Sequence, residues 1–361
     1  SFLNVVIYRL PRDKSIVSPP SACPACGKHI RFYDNIPLIS WLALRAKCRF
    51  CKAPISPRYF VIELFTGLLF VGVFILYFRT GLREGLGTFL GGGWLIYLVS
   101  IILLAAFTAA SAIDLELWII PLSICWFVTA VGFVGSAIGG YIIDSSLIRA
   151  YLLLPSASAK TGSLAVGALT GLAVSLLLLI TGLIKRSYVT EYRRQETEDR
   201  SEHHFNHRLE VCKEIAFLLP IIICAVITFW IFEKSTIVSK WWLDFSQRPV
   251  ITGFLGSLLG YFVGCGVVWT TRIIGTLAFG REAMGLGDVH LMGAAGAVIG
   301  PFLVVIAFFI APFFGLTWAI IQMFFRKTRQ IPYGPFLSLA VFTVMIFHDF
   351  ILDYWGFILY R

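Results

Sequence analysis

Charge is what this chain has least of. Only 14% of its 361 residues are charged and 58% are hydrophobic, whereas a soluble globular protein is about 25% charged and 45–50% apolar. That balance excludes an ordinary soluble domain. An initiator methionine is also missing. The chain opens at Ser1 inside the apolar stretch SFLNVVIYRL, so the expectation is a start partway through a first transmembrane helix, with no complete signal peptide. No internal repeat recurs at a fixed period, which removes the solenoid and array architectures. Nor do two pseudo-repeated halves stand out, as they would in many secondary transporters.

In place of charge there are long apolar runs, at about 1–10, 59–78, 94–113, 117–138, 163–184, 215–232, 251–275, 289–325 and 336–357. A helix needs about 20 apolar residues to cross a hydrocarbon core of about 30 Å. Backbone groups in lipid must bond within their own segment, so such runs are helices. The fold class is therefore all-α: a polytopic integral membrane helical bundle in contact with membrane lipid. The run 289–325 is too long for one helix. Gly300-Pro301 and Pro312 are break points, predicting a short, partly inserted segment at 289–299 and a full span near 302–325.

The net charge of +10 would point to nucleic acid in a soluble protein, but membrane proteins collect Lys and Arg in their cytoplasmic loops, and no nucleic-acid partner is expected. With loop 11–58 placed inside, strict alternation puts 22 Lys and Arg inside and 8 outside, which fixes the orientation. Three domains are expected: 1–10, the truncated first helix; 11–58, a cytoplasmic loop domain; and 59–361, a transmembrane domain of about eight further segments. The polar stretch 185–214 is read as a solvated cytoplasmic insertion. Its His203, His204 and His207 have no companion ligands to make a metal site.

The N-terminal loop carries two C-x-x-C pairs, Cys23/Cys26 and Cys48/Cys51, with 21 residues between them. Both sulfurs of an x₂ knuckle can reach one ion, and four thiolates suit tetrahedral Zn²⁺. Two disulfides or four free thiols are the alternatives, and a reducing cytoplasmic setting argues against disulfides. A loop of this size has little apolar mass, so the metal would supply its folding energy. A closed Cys₄ site is structural, with no open coordination position. His29 is a weaker competing ligand, and Cys125, Cys212, Cys224 and Cys265 are read as ordinary packed residues.

Two aspartates stand at the ends of apolar segments: Asp114 in AIDLELWIIP and Asp288 in GREAMGLGDVHL, 174 residues later. Ionisable groups at membrane depth are costly and are functional candidates by default. Two carboxylates held together share a proton. The charged partner can then activate a water molecule while the protonated one polarises a carbonyl. Gly285 and Gly287 would allow close backbone approach around Asp288. The structural alternatives are a helix N-cap for Asp288 and a plain interface residue for Asp114. A glycine-rich nucleotide loop is disfavoured, because GLGD follows an apolar run and not a strand.

At these residues the sequence resembles the type IV prepilin leader peptidases, also called prepilin peptidase/N-methyltransferases. SFLNVVIYRLP, the two knuckles flanking YDNIPLISWL, SPRYFVIELFTG, AIDLELWIIP, GREAMGLGDVHL and IPYGPFLSLA occur in family order. The resemblance implies that Asp114 and Asp288 are the catalytic pair of a G-x-G-D aspartyl peptidase of the bacterial inner membrane. It implies cleavage after a glycine in prepilins or pseudopilins, at the cytoplasmic face. It also implies N-methylation of the new terminus with S-adenosylmethionine, and a role for Glu63 in binding the substrate amine or assisting methylation. His290 stands where many members have Lys. Glu116 and Glu282 are expected to meet the basic leader. The competing readings are a peptidase without methyltransferase activity, an ion-coupled transporter, and a zinc-dependent scaffold without catalysis.

Overall fold

The computed structural model describes residues 2–36, 38–185, 207–325 and 332–359. Most of the 185–214 insertion, with His203 and His204, lies outside them. The described residues are helical with no strand; the only β-type pairings are two isolated bridges in the N-terminal loop. The helices are α1 (Phe2–Arg9), α2 (Ile39–Ala43), α3 (Pro57–Phe78), α4 (Trp94–Leu117), α5 (Leu122–Ile142), α6 (Ser145–Ala150), α7 (Ala159–Ile180), α8 (His207–Lys234), α9 (Thr236–Ser246), α10 (Pro249–Phe279), α11 (Leu286–Ile299), α12 (Pro301–Phe325), α13 (Gly334–Ile346) and α14 (His348–Leu359). Seven are long and apolar enough to cross a membrane, and the pair α13–α14, bent by 73°, would make an eighth. The protein is a multi-pass membrane protein.

Several expected boundaries move. The break at Gly300-Pro301 is present and separates α11 from α12. Pro312, by contrast, lies inside α12. The predicted single span 336–357 is the bent pair. The stretch 233–250, expected to be a loop between two apolar runs, is mostly helix α9, whose Trp242 stacks on Phe232 with centroids 4.6 Å apart and donates Nε1–H to the Ala159 carbonyl at 2.8 Å.

The chain divides into two compact units, Ser1–Cys125 with Ala311–Arg361, and Trp126–Ile310. In the first, α4 is the central helix, packing on α1, α3 and α13. Leu103, Phe107 and Ile113 on α4 and Leu337 on α13 are at most 1% exposed. Polar side chains are satisfied across this apolar packing, as buried hydroxyls must be: Tyr77 Oη lies 3.1 Å from Ser100 Oγ, and Ser111 donates to Ser338 at 2.9 Å.

In the second unit α7 packs on α8, and α10 packs on both α7 and α11. Helix α11 is apolar all round, and Val289, Leu291, Met292, Ala294, Ala295 and Ala297 are fully buried. At a rise of 1.5 Å per residue its 14 residues reach about 21 Å, short of a full span. Protein and not lipid therefore surrounds it. Small residues make that possible, since they let helix backbones approach closely: a Cβ on Gly260 would lie 2.0 Å from the Gly296 carbonyl oxygen, and one on Gly296 would lie 2.1 Å from that of Gly260.

Candidate active site and metal centre

The two knuckles of the N-terminal loop are copies of one turn. Cys23 N–H donates to Lys28 O at 2.9 Å and Gly27 N–H returns to Cys23 O at 2.9 Å. Cys48 N–H donates to Ala53 O at 2.8 Å and Lys52 N–H returns to Cys48 O at 3.1 Å. Gly27 and Lys52 take the same left-handed position, at φ 68° and 58°. Each turn is closed by a bridge, Ala22 with His29 and Lys47 with Pro54. The four Sγ atoms lie within 4.8 Å of one another, and none is paired in a disulfide. Cys23 Sγ and Cys51 Sγ are 3.8 Å apart. A tetrahedron with Zn–S of about 2.3 Å has edges of about 3.8 Å, so the cluster fits such an ion, and it can hold a metal. Backbone N–H groups of Cys51 and Phe50 aimed at the Cys48 sulfur hold its thiol down to about 6, as suits a thiolate ligand. The lobe is further tied by Asp34, which accepts from Arg49 Nε at 2.7 Å and Nη2 at 2.5 Å. That guanidinium hydrogen bond holds the Asp34 carboxyl below its ordinary value.

Glu63 sits on α3, and its Oε2 accepts the Leu38 N–H at 3.0 Å. Leu38 has φ 61°, an uncommon conformation for a bulky residue. Glu63 thus pins the YDNIPLISWL stretch to α3. Arg58, at the start of α3, pairs with Glu116 near the end of α4. Glu282 pairs with Arg272 at 2.8 Å. Both acids expected to meet a basic leader are therefore already engaged by arginines.

Asp114 lies three residues before the end of α4 and is 6% exposed. The helix stops at Trp118, in left-handed geometry at φ 58°, whose N–H closes on the Asp114 carbonyl at 3.0 Å. The side chain is held from α13: Gly334 N–H donates to Asp114 Oδ2 at 3.0 Å. Gly334 is the glycine of IPYGP. A Cβ there would lie 2.6 Å from that same oxygen, so only glycine lets the carboxylate approach. The motif's position in the sequence was legible; its contact with Asp114 was not.

Asp288 belongs to the second unit, is 9% exposed, and stands in the first turn of α11. The N-cap is Gly285 and not Asp288, whose own N–H bonds the Gly285 carbonyl at 3.2 Å. The helix begins at Leu286, three residues ahead of the expected start. Gly285 has an extended backbone at φ −70°, so no left-handed turn requires it. A Cβ there would rest 3.4 Å from Asp288 Oδ2, partly covering the carboxylate. Gly287 is the second residue of α11. His290 Nδ1 lies 3.3 Å from Tyr261 Oη on α10.

Asp114 sits at the negative end of one helix dipole and Asp288 at the positive end of another. An acid in a last helical turn runs against that dipole, which is a poor choice for a purely structural residue.

A third ionisable cluster was missed. Arg272 on α10 is 2% exposed. Its Nε donates to Glu214 Oε1 on α8 at 2.7 Å, Nη1 donates to the Met284 carbonyl at 2.7 Å, and Nη2 contacts Glu282 at 2.8 Å. The rule that singles out the aspartates, a charge inside an apolar run, applies equally to the arginine of VVWTTRIIG.

Residues 1–77 match the bacterial peptidase A24 N-terminal domain, and residues 214–320 match the type IV leader peptidase family. The chain belongs to the type IV leader peptidase family. Among curated relatives, the prepilin leader peptidase/N-methyltransferase of Myxococcus xanthus is 49% identical over 124 residues, which is 34% of this chain and 32% of that protein. The one from Aeromonas hydrophila is 35% identical over 192 residues, 43% of this chain and 61% of the relative. A type 4 prepilin-like proteins leader peptide-processing enzyme of Escherichia coli O78:H11 is 38% identical over 134 residues, 32% and 45% of the two chains. The matched stretches thus span less than two thirds of these relatives. No solved structure matches the chain.

Proposed function

We propose that this chain is an inner-membrane aspartyl endopeptidase that removes the leader of type IV prepilins and pseudopilins at the cytoplasmic face. The observation that carries it is the buried Asp114 carboxylate, held by the Gly334 N–H inside an apolar unit. Building such a group costs stability, and the relatives' printed names supply a reaction that needs it. Asp114 and Asp288 form the working pair. One carboxylate takes a proton from water, and the resulting hydroxide attacks the scissile carbonyl, which the protonated partner polarises. Collapse of the tetrahedral species breaks the C–N bond, and the proton passes to the leaving amine.

Zn²⁺ in the Cys23/Cys26/Cys48/Cys51 cluster holds the N-terminal lobe together. N-methylation of the new terminus is supported by the relatives' printed names alone; S-adenosylmethionine is the methyl donor that the family resemblance implies, and no residue is assigned to it. Glu63, already bonded to Leu38, acts first as a tie between that lobe and α3. The inward placement of 11–58 rests on the excess of Lys and Arg on that side.

The test is cleavage of a prepilin by detergent-solubilised protein, comparing wild type with Asp114→Asn and Asp288→Asn. Each change keeps the side-chain size and removes the acid. Loss of cleavage in each folded variant is expected. Retained cleavage in both would place the active site elsewhere. Mass spectrometry of the processed pilin separates a peptidase alone from one that also methylates.

A further inference from the structure

The turn that delivers Asp288 is fastened to α10 by a single buried guanidinium. After Gly280 the chain reverses and re-enters helix at Leu286. Residues 282–284 lie back along one face of α10, that of Arg272, Gly275 and Thr276. Arg272 Nη1 grips the Met284 carbonyl at 2.7 Å, directly before the Gly285 N-cap. Ala283 N–H donates to Thr276 Oγ1 at 3.4 Å. A Cβ on Gly275 would come within 2.6 Å of Ala283 Cβ, so the reversal is seated closely.

We propose that Arg272 is a positioning residue for the G-x-G-D turn: it fixes the entry of the chain into α11, and with it the direction of the Asp288 carboxylate, while Glu214 and Glu282 orient the guanidinium. This rests on the peptidase reading above. If Arg272 merely balanced the buried Glu214 and the exposed Glu282, any cation would serve. The geometry asks for more. Three donor atoms of one planar group meet three different acceptors on α8 and on the reversal, and one of those acceptors is an uncharged main-chain carbonyl. A lysine carries the same charge but cannot reproduce that fork.

The experiment measures steady-state prepilin cleavage by the solubilised full chain as wild type, Asp288→Asn, Arg272→Lys and Thr276→Val, with a melting curve and a kcat/KM pH profile for each. For Arg272→Lys, kcat should fall about 10- to 100-fold, as for a catalytic group displaced by about 1 Å. KM should stay within about twofold, and the pH profile should shift, because the carboxylate has moved. A loss confined to the folded fraction would leave the profile's shape unchanged. Arg272→Lys with wild-type kcat, or with a loss that only tracks unfolding, overturns the proposal. If that variant does not fold, Thr276→Val decides: a several-fold lower kcat supports the proposal and a wild-type kcat overturns it. Asp288→Asn cleaving like wild type would instead sink the peptidase reading, and this proposal with it.

Discussion

Gly334→Ala isolates the catalytic meaning of the α13–α4 contact. Gly334 is the first residue of α13 and its φ is not in the left-handed region, so alanine fits the backbone without strain. At such a site Gly→Ala stabilises by about 0.4–1 kcal/mol, through the unfolded chain. Against that, the new Cβ would stand 2.6 Å from Asp114 Oδ2 and 3.1 Å from Ile120 Cδ1. To recover an ordinary contact of 3.4 Å the carboxylate must retreat by roughly 0.8 Å, and overpacking of this kind costs about 1–3 kcal/mol. The two effects oppose each other, so the net loss of stability should be small, about 0–2 kcal/mol. Catalysis has no such compensation. A displacement approaching 1 Å costs about 10²-fold, and the retreat also stretches the 3.0 Å bond from Gly334 N–H.

The expected result is a protein that melts close to wild type yet cleaves prepilin with a kcat lower by about 10- to 100-fold. KM should be little changed, because the substrate's other contacts are untouched. The assay is steady-state cleavage in detergent, with Asp114→Asn as the zero. Wild-type kcat for Gly334→Ala would refute the reasoning, since the oxygen that Gly334 holds would then not be one the reaction uses. A fall in kcat matched by an equal fall in folded protein would refute it as well, by making the contact purely structural.

Metal analysis of the purified protein should find about one zinc per chain, and Cys48→Ser should release it. Structural zinc sites are worth about 10–16 kcal/mol, so the N-terminal lobe that carries the four cysteines should then become sensitive to protease while α3 and α4 stay protected. Asp34→Asn should weaken the lobe by up to about 1 kcal/mol at neutral pH, the range of a partly exposed ion pair. Because Arg49 holds the Asp34 carboxyl below its ordinary value, the wild-type advantage is present above the unfolded carboxyl's pKa of about 3.9 and fades as pH falls through the lower folded value. Proteolysis rates of the two proteins should therefore differ at pH 7, and the difference should shrink as the pH falls below the unfolded carboxyl's value and through the lowered folded one. Gly260→Ala should destabilise by at least about 1–3 kcal/mol, because its Cβ would meet the Gly296 carbonyl at 2.0 Å; an unchanged melting temperature would mean that α10 and α11 are not packed this closely.

The helical membrane class was legible because lipid leaves few solutions for the backbone: apolar length alone identifies a spanning helix. The Cys₄ cluster was legible because metal coordination imposes its own spacing, and the two matched turns put Gly27 and Lys52 at the same left-handed position. The extent of α11 was less so. An apolar stretch of 14 residues reads alike whether lipid or protein surrounds it, and its start two residues before Asp288 turns on an N-cap that is glycine and carries no side-chain signal. Helix α9 was hidden for a related reason: its polar residues look like a loop until Trp242 is seen stacked on Phe232.

The least legible features are those that orient the two aspartates. An aspartate in an apolar run declares itself by its cost. What aims it does not, because the partners are main-chain atoms: the Gly334 N–H for Asp114, and the Met284 carbonyl, through Arg272, for the turn that leads to Asp288. Every residue carries those groups, so no residue type marks them, and only the glycine that admits the contact or the charge that reaches it leaves a trace in the sequence. Both traces were present, in IPYGP and in WTTRIIG. Each acquires its meaning only when the fold brings it against another segment, 220 residues away for Asp114 and Gly334 and 12 for Arg272 and Met284. On the proposed reading, the acid in each unit supplies the chemistry and an ordinary peptide group supplies its aim, which is why substitutions that leave both carboxylates intact, Gly334→Ala and Arg272→Lys, are the sharper probes of that proposal.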